Sequence, residues 1–286
     1  MSDERRTVAI GDGRVLTCRT FGAADGSAVL YCHGGLMSGL DAAPWDGAAR
    51  AAGMRIIAPA RPGLDGSSAA LGRTTVDWAA DVRALLDAIG IERVAVLGWS
   101  MGGQYALACG AHLPERVTRV VVVAGAVPLT DDAAMGELNK MDRRLTHRAR
   151  HRAWLARVQL GTMGLVARHA PKAWTKSMTK GAPDEEATAV RALSDPGLAR
   201  AAGAALASTH GMVEEYRAWA RPWGFAPADV AVPTMLWQGD ADGLVPPHWA
   251  EVLTKQIPDA RLELRTRAGH FLAYTHTDEV LRSLTG

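Results

Sequence analysis

The stretch Val94-Ala95-Val96-Leu97-Gly98-Trp99-Ser100-Met101-Gly102-Gly103 decides how this chain folds. Four apolar residues read as a short buried strand. The pattern breaks at Gly98 and restarts as a helix after Gly102, with Ser100 at the break. Gly98, Ser100 and Gly102 fit G-x-S-x-G, a strand-turn-helix elbow that lifts a serine hydroxyl above a sheet. The turn holds the serine in a strained conformation, and the flanking glycines let strand and helix approach without a Cβ clash. The helix N-terminus that follows aims free backbone N–H groups at developing negative charge.

Outward from this elbow the chain alternates strand and helix. Thr7–Ile10 and Val15–Thr20 read as strands joined by a Gly-Asp-Gly turn. Ser27–Cys32 is an apolar strand running into His33-Gly34-Gly35-Leu36, and Met54–Ala58 is another, ending in Arg61-Pro62-Gly63-Leu64-Asp65-Gly66-Ser67. Trp78, Val82, Leu85, Leu86 and Ile89 follow the helical period over 75–89, with Thr74 or Thr75 to cap the start and Gly90 to end it. Strand 93–97, helix 101–111 and strand 117–124 come next. The pattern resumes with strand 232–238, helix 248–256, strand 261–266 with Leu262 and Leu264 on one face, and helix 278–284. Fully apolar strands alternating with helices predict an α/β fold: a mostly parallel central sheet covered by helices on both faces.

The composition shifts near Pro128. From Thr130 to about Pro227 the segments are helix-like and no strand stands out. The domain organisation expected is a core of residues 1–129 and 228–286 with a helical cap inserted at 130–227. Most Trp and Met residues of the insert are expected to pack, with some facing a pocket. The basic run from Lys140 to Arg157 reads as a solvated helix face, or as a steering field for an anionic substrate.

Bulk properties narrow the function classes. The 286 residues suffice for one large core, and 48% apolar with 22% charged residues is ordinary for a globular chain. A net charge of +2 gives no push toward nucleic acid or an anionic membrane. The charged start Met1-Ser2-Asp3-Glu4-Arg5-Arg6 lacks the apolar core of a signal peptide, and no apolar run is long enough to span a bilayer. A cytoplasmic location is expected. Cys18, Cys32 and Cys109 read as small buried thiols without metal-ligand spacing, so neither a metal nor an organic cofactor is expected.

A serine hydroxyl is a weak nucleophile; it needs a base, and the base needs an orienting acid. His270 directly follows the last strand and Asp242 the strand before it. Loops at those strand ends of a parallel sheet collect ligands and chemistry. Asp240 competes for the acid role, but Asp242, three residues before Val245-Pro246, is preferred. An oxyanion needs two fixed donors. The amide of Met101, after the serine, is one; the amide of Gly35, unobstructed by a Cβ, is the other. His33 reads as a residue that holds this loop in shape. Trp99 and Leu36 are expected to contact substrate.

These motifs, spread over nearly the whole chain outside 130–227, resemble the α/β-hydrolase fold superfamily. The chain is similar to its single-domain esterases, lactonases, C–C bond hydrolases and cofactor-free perhydrolases with a helical cap. The matching residues are His33-Gly34-Gly35, Arg61-Pro62-Gly63 to Gly66-Ser67, Gly98 to Gly103, Gly239 through Asp242 to Pro246, and Gly269-His270. The resemblance implies nucleophile Ser100, acid Asp242, base His270 and oxyanion donors Met101 and Gly35. Ser100 in place of Asp departs from the haloalkane dehalogenase and epoxide hydrolase branches. His-Gly-Gly followed by Leu36-Met37 departs from prolyl aminopeptidases, and the absence of a third consecutive glycine from the branch with a long Gly-rich oxyanion loop. The expected activity is a serine hydrolase acting on a small to medium ester or lactone. Alternatives are C–C bond cleavage, perhydrolysis or acyl transfer with the same three residues, and ligand binding without catalysis.

Overall fold

A computed structural model describes residues 5–130, 132–193 and 197–285. The core is an eight-stranded sheet in the order β1-β2-β4-β3-β5-β6-β7-β8. The first hairpin, β1 (Arg6–Ala9) and β2 (Val15–Gly22), is antiparallel, and β2 also runs antiparallel to β4 (Met54–Pro59). Every other pairing is parallel: β4 with β3 (Ser27–Cys32), then β5 (Val94–Trp99), β6 (Val117–Val123), β7 (Thr234–Gly239) and β8 (Ala260–Arg265). All six residues of β5 are buried, which is why that strand is apolar without alternation.

Helices cover both faces. A 3-10 turn at Gly39–Trp45 leads into α1 (Asp46–Ala51), which packs on β2 and β4. Neither was read from the sequence, because Pro44 interrupts the segment and each piece is too short for a helical period to show. On the other face α2 (Asp77–Ala88) packs against α3 (Gly102–His112), and α3 lies on β3, β5 and β6. The start of α2 is built differently from the expectation. Neither threonine caps it; instead the Asp77 carboxylate accepts the Thr74 amide at 2.7 Å.

Among the described residues seven α-helices separate β6 from β7: α4 (Asp132–Glu137), α5 (Lys140–His151), α6 (Ala153–His169), α7 (Pro171–Met178), α8 (Asp184–Ala192), α9 (Gly197–Ala205) and α10 (Thr209–Trp219). Among the described residues this segment holds no strand. Then come α11 (His248–Gln256), α12 (Leu272–Thr275) and α13 (Thr277–Arg282). The last of these takes the place of the C-terminal helix expected at 278–284, and α12 is a short helix before it that was not read from the sequence. Pro233 delays the start of β7 to Thr234, since proline has no N–H to give the ladder. On edge strand β8, Leu262 packs against the core, whereas Leu264 is 44% exposed. Cys18, Cys32 and Cys109 are buried and unpaired, and burial pushes the Cys32 thiol up to about 12.

Candidate active site

The sheet geometry dictates the position of Ser100. It sits in the left-handed region at φ 54°, between the end of β5 and the start of α3. Its amide donates to Val123 O at the end of β6 at 2.8 Å, so the neighbouring strand holds the turn. A Cβ on Gly102 would lie 2.0 Å from Cys32 O, and one on Gly98 would lie 2.6 Å from Gly102 O. Only glycine lets strand, turn and helix close to this distance.

The loops after β7 and β8 bring two more side chains to the serine. His270 Nε2 lies 2.9 Å from Ser100 Oγ, and His270 Nδ1 lies 2.9 Å from Asp242 Oδ2. Asp242 is well satisfied: Oδ1 accepts the amides of Leu244 and Val245 at 2.8 and 2.9 Å, and Oδ2 also accepts Gln238 Nε2 at 3.1 Å. Burial alone would raise the Asp242 carboxyl; His270 and those amides outweigh it and hold the group below its ordinary range. Burial alone would likewise depress the His270 imidazole, but the Asp242 carboxylate prevails and raises it. Asp240 instead accepts the Arg267 amide and shapes the turn.

Gly35 and Met101 face the same cavity as Ser100. Among the described residues neither amide has a protein acceptor, so two donors stay available beside the hydroxyl. The loop carrying Gly35 is held from below. Asp41, fully buried, accepts the Gly34 amide at 2.9 Å, and burial pushes its carboxyl up to about 8. His33 donates from Nδ1 to Gly34 O and accepts the Arg61 amide on Nε2, the shaping role expected of it.

The cavity measures about 300 Å³. Leu36, at φ 60°, and Trp99 both line it. Trp99 has a second part: its indole N–H donates to His270 O at 3.1 Å, and its ring packs on His270 and Phe271. The segment between β6 and β7 supplies the opposite wall. Of its Trp and Met residues, Met141, Met163, Met178, Trp174 and Trp219 reach the cavity. Met212 and Trp223 are buried in packing, and Trp154 is exposed.

Four carboxylates that sequence reasoning passed over support this geometry. Asp41 is one. Asp142 lines the cavity and accepts Tyr216 OH at 2.7 Å and Asn139 Nδ2 at 2.7 Å, while Asn139 also donates to Leu244 O beside Asp242. Glu215 on α10 is completely buried and pairs with Arg61 Nε at 2.7 Å and with Arg73. The same Arg61 donates to the carbonyls of His33 and Gly34. Glu186 on α8 accepts the amides of Gly269 and Phe271. Arg61 stands in a motif visible in the sequence, yet nothing there reveals its partner 154 residues away.

Fold and site together define a class. A family model for the alpha/beta hydrolase fold matches residues 27–277, and the chain belongs to that family. Over 110 residues it is 36% identical to a 2-hydroxy-6-oxo-6-phenylhexa-2,4-dienoate hydrolase of Burkholderia cepacia, a match covering 35% of this chain and only 37% of that relative's length. Over 247 residues it is 28% identical to a pimeloyl-(acyl-carrier protein) methyl ester esterase of Aromatoleum aromaticum, covering 80% of this chain and 85% of the relative. The enol-lactonase from Burkholderia xenovorans shares the fold with a TM-score of 0.72 at 18% identity, over 97% of this chain and 98% of that one. No helix among the described residues is long and apolar enough to cross a membrane.

Proposed function

We propose that this protein is a serine hydrolase that cleaves a small to medium carboxylic ester or lactone through an acyl-enzyme on Ser100. The observation that carries the reading is the unbroken chain of two 2.9 Å hydrogen bonds from Ser100 through His270 to Asp242. His270 Nε2 takes the Ser100 Oγ proton as the oxygen attacks the substrate carbonyl. The amides of Met101 and Gly35 hold the oxyanion. His270 then gives its proton to the leaving alkoxide, and the acyl-enzyme forms. Water attacks it with His270 again as base, releasing the acid and free Ser100. Asp242 keeps the imidazole in the Nδ1–H tautomer and supports its transient charge.

Residues 130–227 act in this reading as a cap over the core of residues 1–129 and 228–286. A cavity of about 300 Å³ lies at the lower end of the range for small-molecule sites and fits a compact substrate. Its Met and Trp wall suits an apolar acyl or alcohol group. No nucleic acid, metal or organic cofactor takes part, and the protein works in the cytoplasm. The match to a dienoate hydrolase favours one second reading, C–C bond cleavage with the same three residues.

A panel of p-nitrophenyl esters, lactones and vinylogous β-diketones separates the two. Ester or lactone turnover that falls by several orders of magnitude in Ser100→Ala is expected, because residual activity then comes from binding and the oxyanion donors alone. Undiminished turnover by Ser100→Ala removes the acyl-enzyme mechanism. Turnover of diketones alone moves the assignment to C–C cleavage.

A further inference from the structure

Glu186 is the third residue of α8 and is 2% exposed. It belongs to the segment between β6 and β7, yet its carboxylate meets the loop that carries His270. Oε1 accepts the Gly269 amide and Oε2 accepts the Phe271 amide, the latter at 2.9 Å. One carboxylate therefore grips the two peptide N–H groups that flank His270. The carbonyl of His270 itself is taken by Trp99 Nε1. The backbone of the histidine is thus tied on one side to the serine elbow and on the other to α8. The fit leaves no slack: a Cβ on Gly269 would lie 2.6 Å from Pro183 and 2.8 Å from Glu186.

A buried carboxylate is costly unless its oxygens are satisfied. Burial raises the Glu186 carboxyl, and the Gly269 and Phe271 amides and His270 oppose that rise. The two buried peptide N–H groups need two acceptors, which a carboxylate supplies, whereas a carboxamide offers one and an apolar side chain none. We propose that Glu186 is a positioning residue for His270: the α8 carboxylate holds the 269–271 backbone so that Nε2 stays within reach of Ser100 Oγ, and α8 moves with the base instead of swinging free as a flap. The proposal rests on the hydrolase reading for its kinetic consequences. The placement of the imidazole is independent of that reading.

Glutamine at position 186 has the same shape but can offer an acceptor to only one of the two amides, turning an N–H₂ toward the other. Three carboxylates act on the His270 imidazole: Asp242 from the loop after β7, Asp142 from α5 and Glu186 from α8. Each favours the imidazolium, so removing one lowers the pH at which His270 loses its proton.

The test compares wild type, Glu186→Gln and Glu186→Asp by p-nitrophenyl butyrate kinetics across pH and by NMR titration of the His270 imidazole. The expected result for Glu186→Gln is kcat lower by about 10- to 100-fold with KM within about twofold, as for a small misplacement of a reacting group. The acid limb of kcat/KM and the imidazole titration should both move to lower pH. Glu186→Asp, which keeps the charge, should restore the position of the acid limb and part of kcat. A folded Glu186→Gln protein with kcat within about twofold of wild type and an unmoved imidazole titration overturns the proposal. Should Glu186→Gln fail to fold, Glu186→Asp decides: reduced kcat with an unmoved acid limb supports the proposal, and wild-type kcat overturns it. Wild type that turns over no ester defeats the hydrolase reading instead, and the NMR titration still decides the role of Glu186.

Discussion

Ser100, His270 and Asp242 were legible in the sequence as candidates because each follows the end of a strand and each belongs to a short pattern with a mechanical reason. The structure brings all three together at hydrogen-bond distance. Glu186 was not legible. It sits in Asp184-Glu185-Glu186, an acidic first turn that ordinarily reads as solvent-facing charge at a helix N-terminus. Its partners are backbone amides 83 and 85 residues away, which leave no mark on side-chain patterns. Trp99 was expected at the substrate and does line the cavity, but its bond to His270 O was invisible for the same reason. At this scale the pH profile is the informative observable. In the proposed mechanism the neutral imidazole is the base, and although burial opposes it, Asp242 raises its pKa. Activity should therefore fall as pH drops through a midpoint above the ordinary histidine value of about 6.5. In Asp242→Asn the midpoint should move down and kcat should drop by about four orders of magnitude. An acid limb below the ordinary value in wild type contradicts this account of the site.

The strands were read to within one or two residues, since buried parallel strands are apolar throughout and glycine turns punctuate them. Short elements fared worse: the 3-10 turn at Gly39–Trp45 and α1 carry too few residues for a period to show. The least legible feature joins elements far apart. Glu215 of α10 reaches Arg61 after β4 and Arg73 before α2, and Arg61 in turn holds the carbonyls of the loop that carries Gly35. Burial alone would raise the Glu215 carboxyl, but Arg61 and Arg73 outweigh it and lower the group to about 2. A group depressed on folding stabilises the protein above its unfolded value. That contribution is complete above the ordinary value of about 4.5 and is lost as pH falls toward about 2. Removing the charge leaves two buried guanidinium groups without their partner. Glu215→Gln should cost about 3–5 kcal/mol in urea denaturation at neutral pH. A loss under about 1 kcal/mol contradicts the structural role assigned to the pair.

Across the whole molecule, averaging hid as much as it revealed. The chain carries a net charge of +2, yet eleven of its 32 Lys and Arg residues lie between 140 and 180 against one acidic residue, Asp142. Among the described residues none of those eleven pairs with a carboxylate, and most are exposed. The run is a solvated face of α5 to α7, with Lys180 at the cavity. The site itself is composite. The sheet supplies Ser100, Asp242, His270 and the two free amides, while the segment between β6 and β7 supplies the cavity wall and the buried carboxylates Glu186 and Glu215. The fold was readable because it repeats one local pattern; the wall was not, because it depends on how the helices between β6 and β7 pack. The central claim, covalent catalysis at Ser100, is tested most directly by reaction with a fluorophosphonate followed by peptide mapping, with p-nitrophenyl butyrate turnover measured in the same samples. A single adduct on Ser100, formed in step with loss of turnover and absent from His270→Ala, is the predicted result. Turnover that persists when Ser100 is fully modified would contradict it.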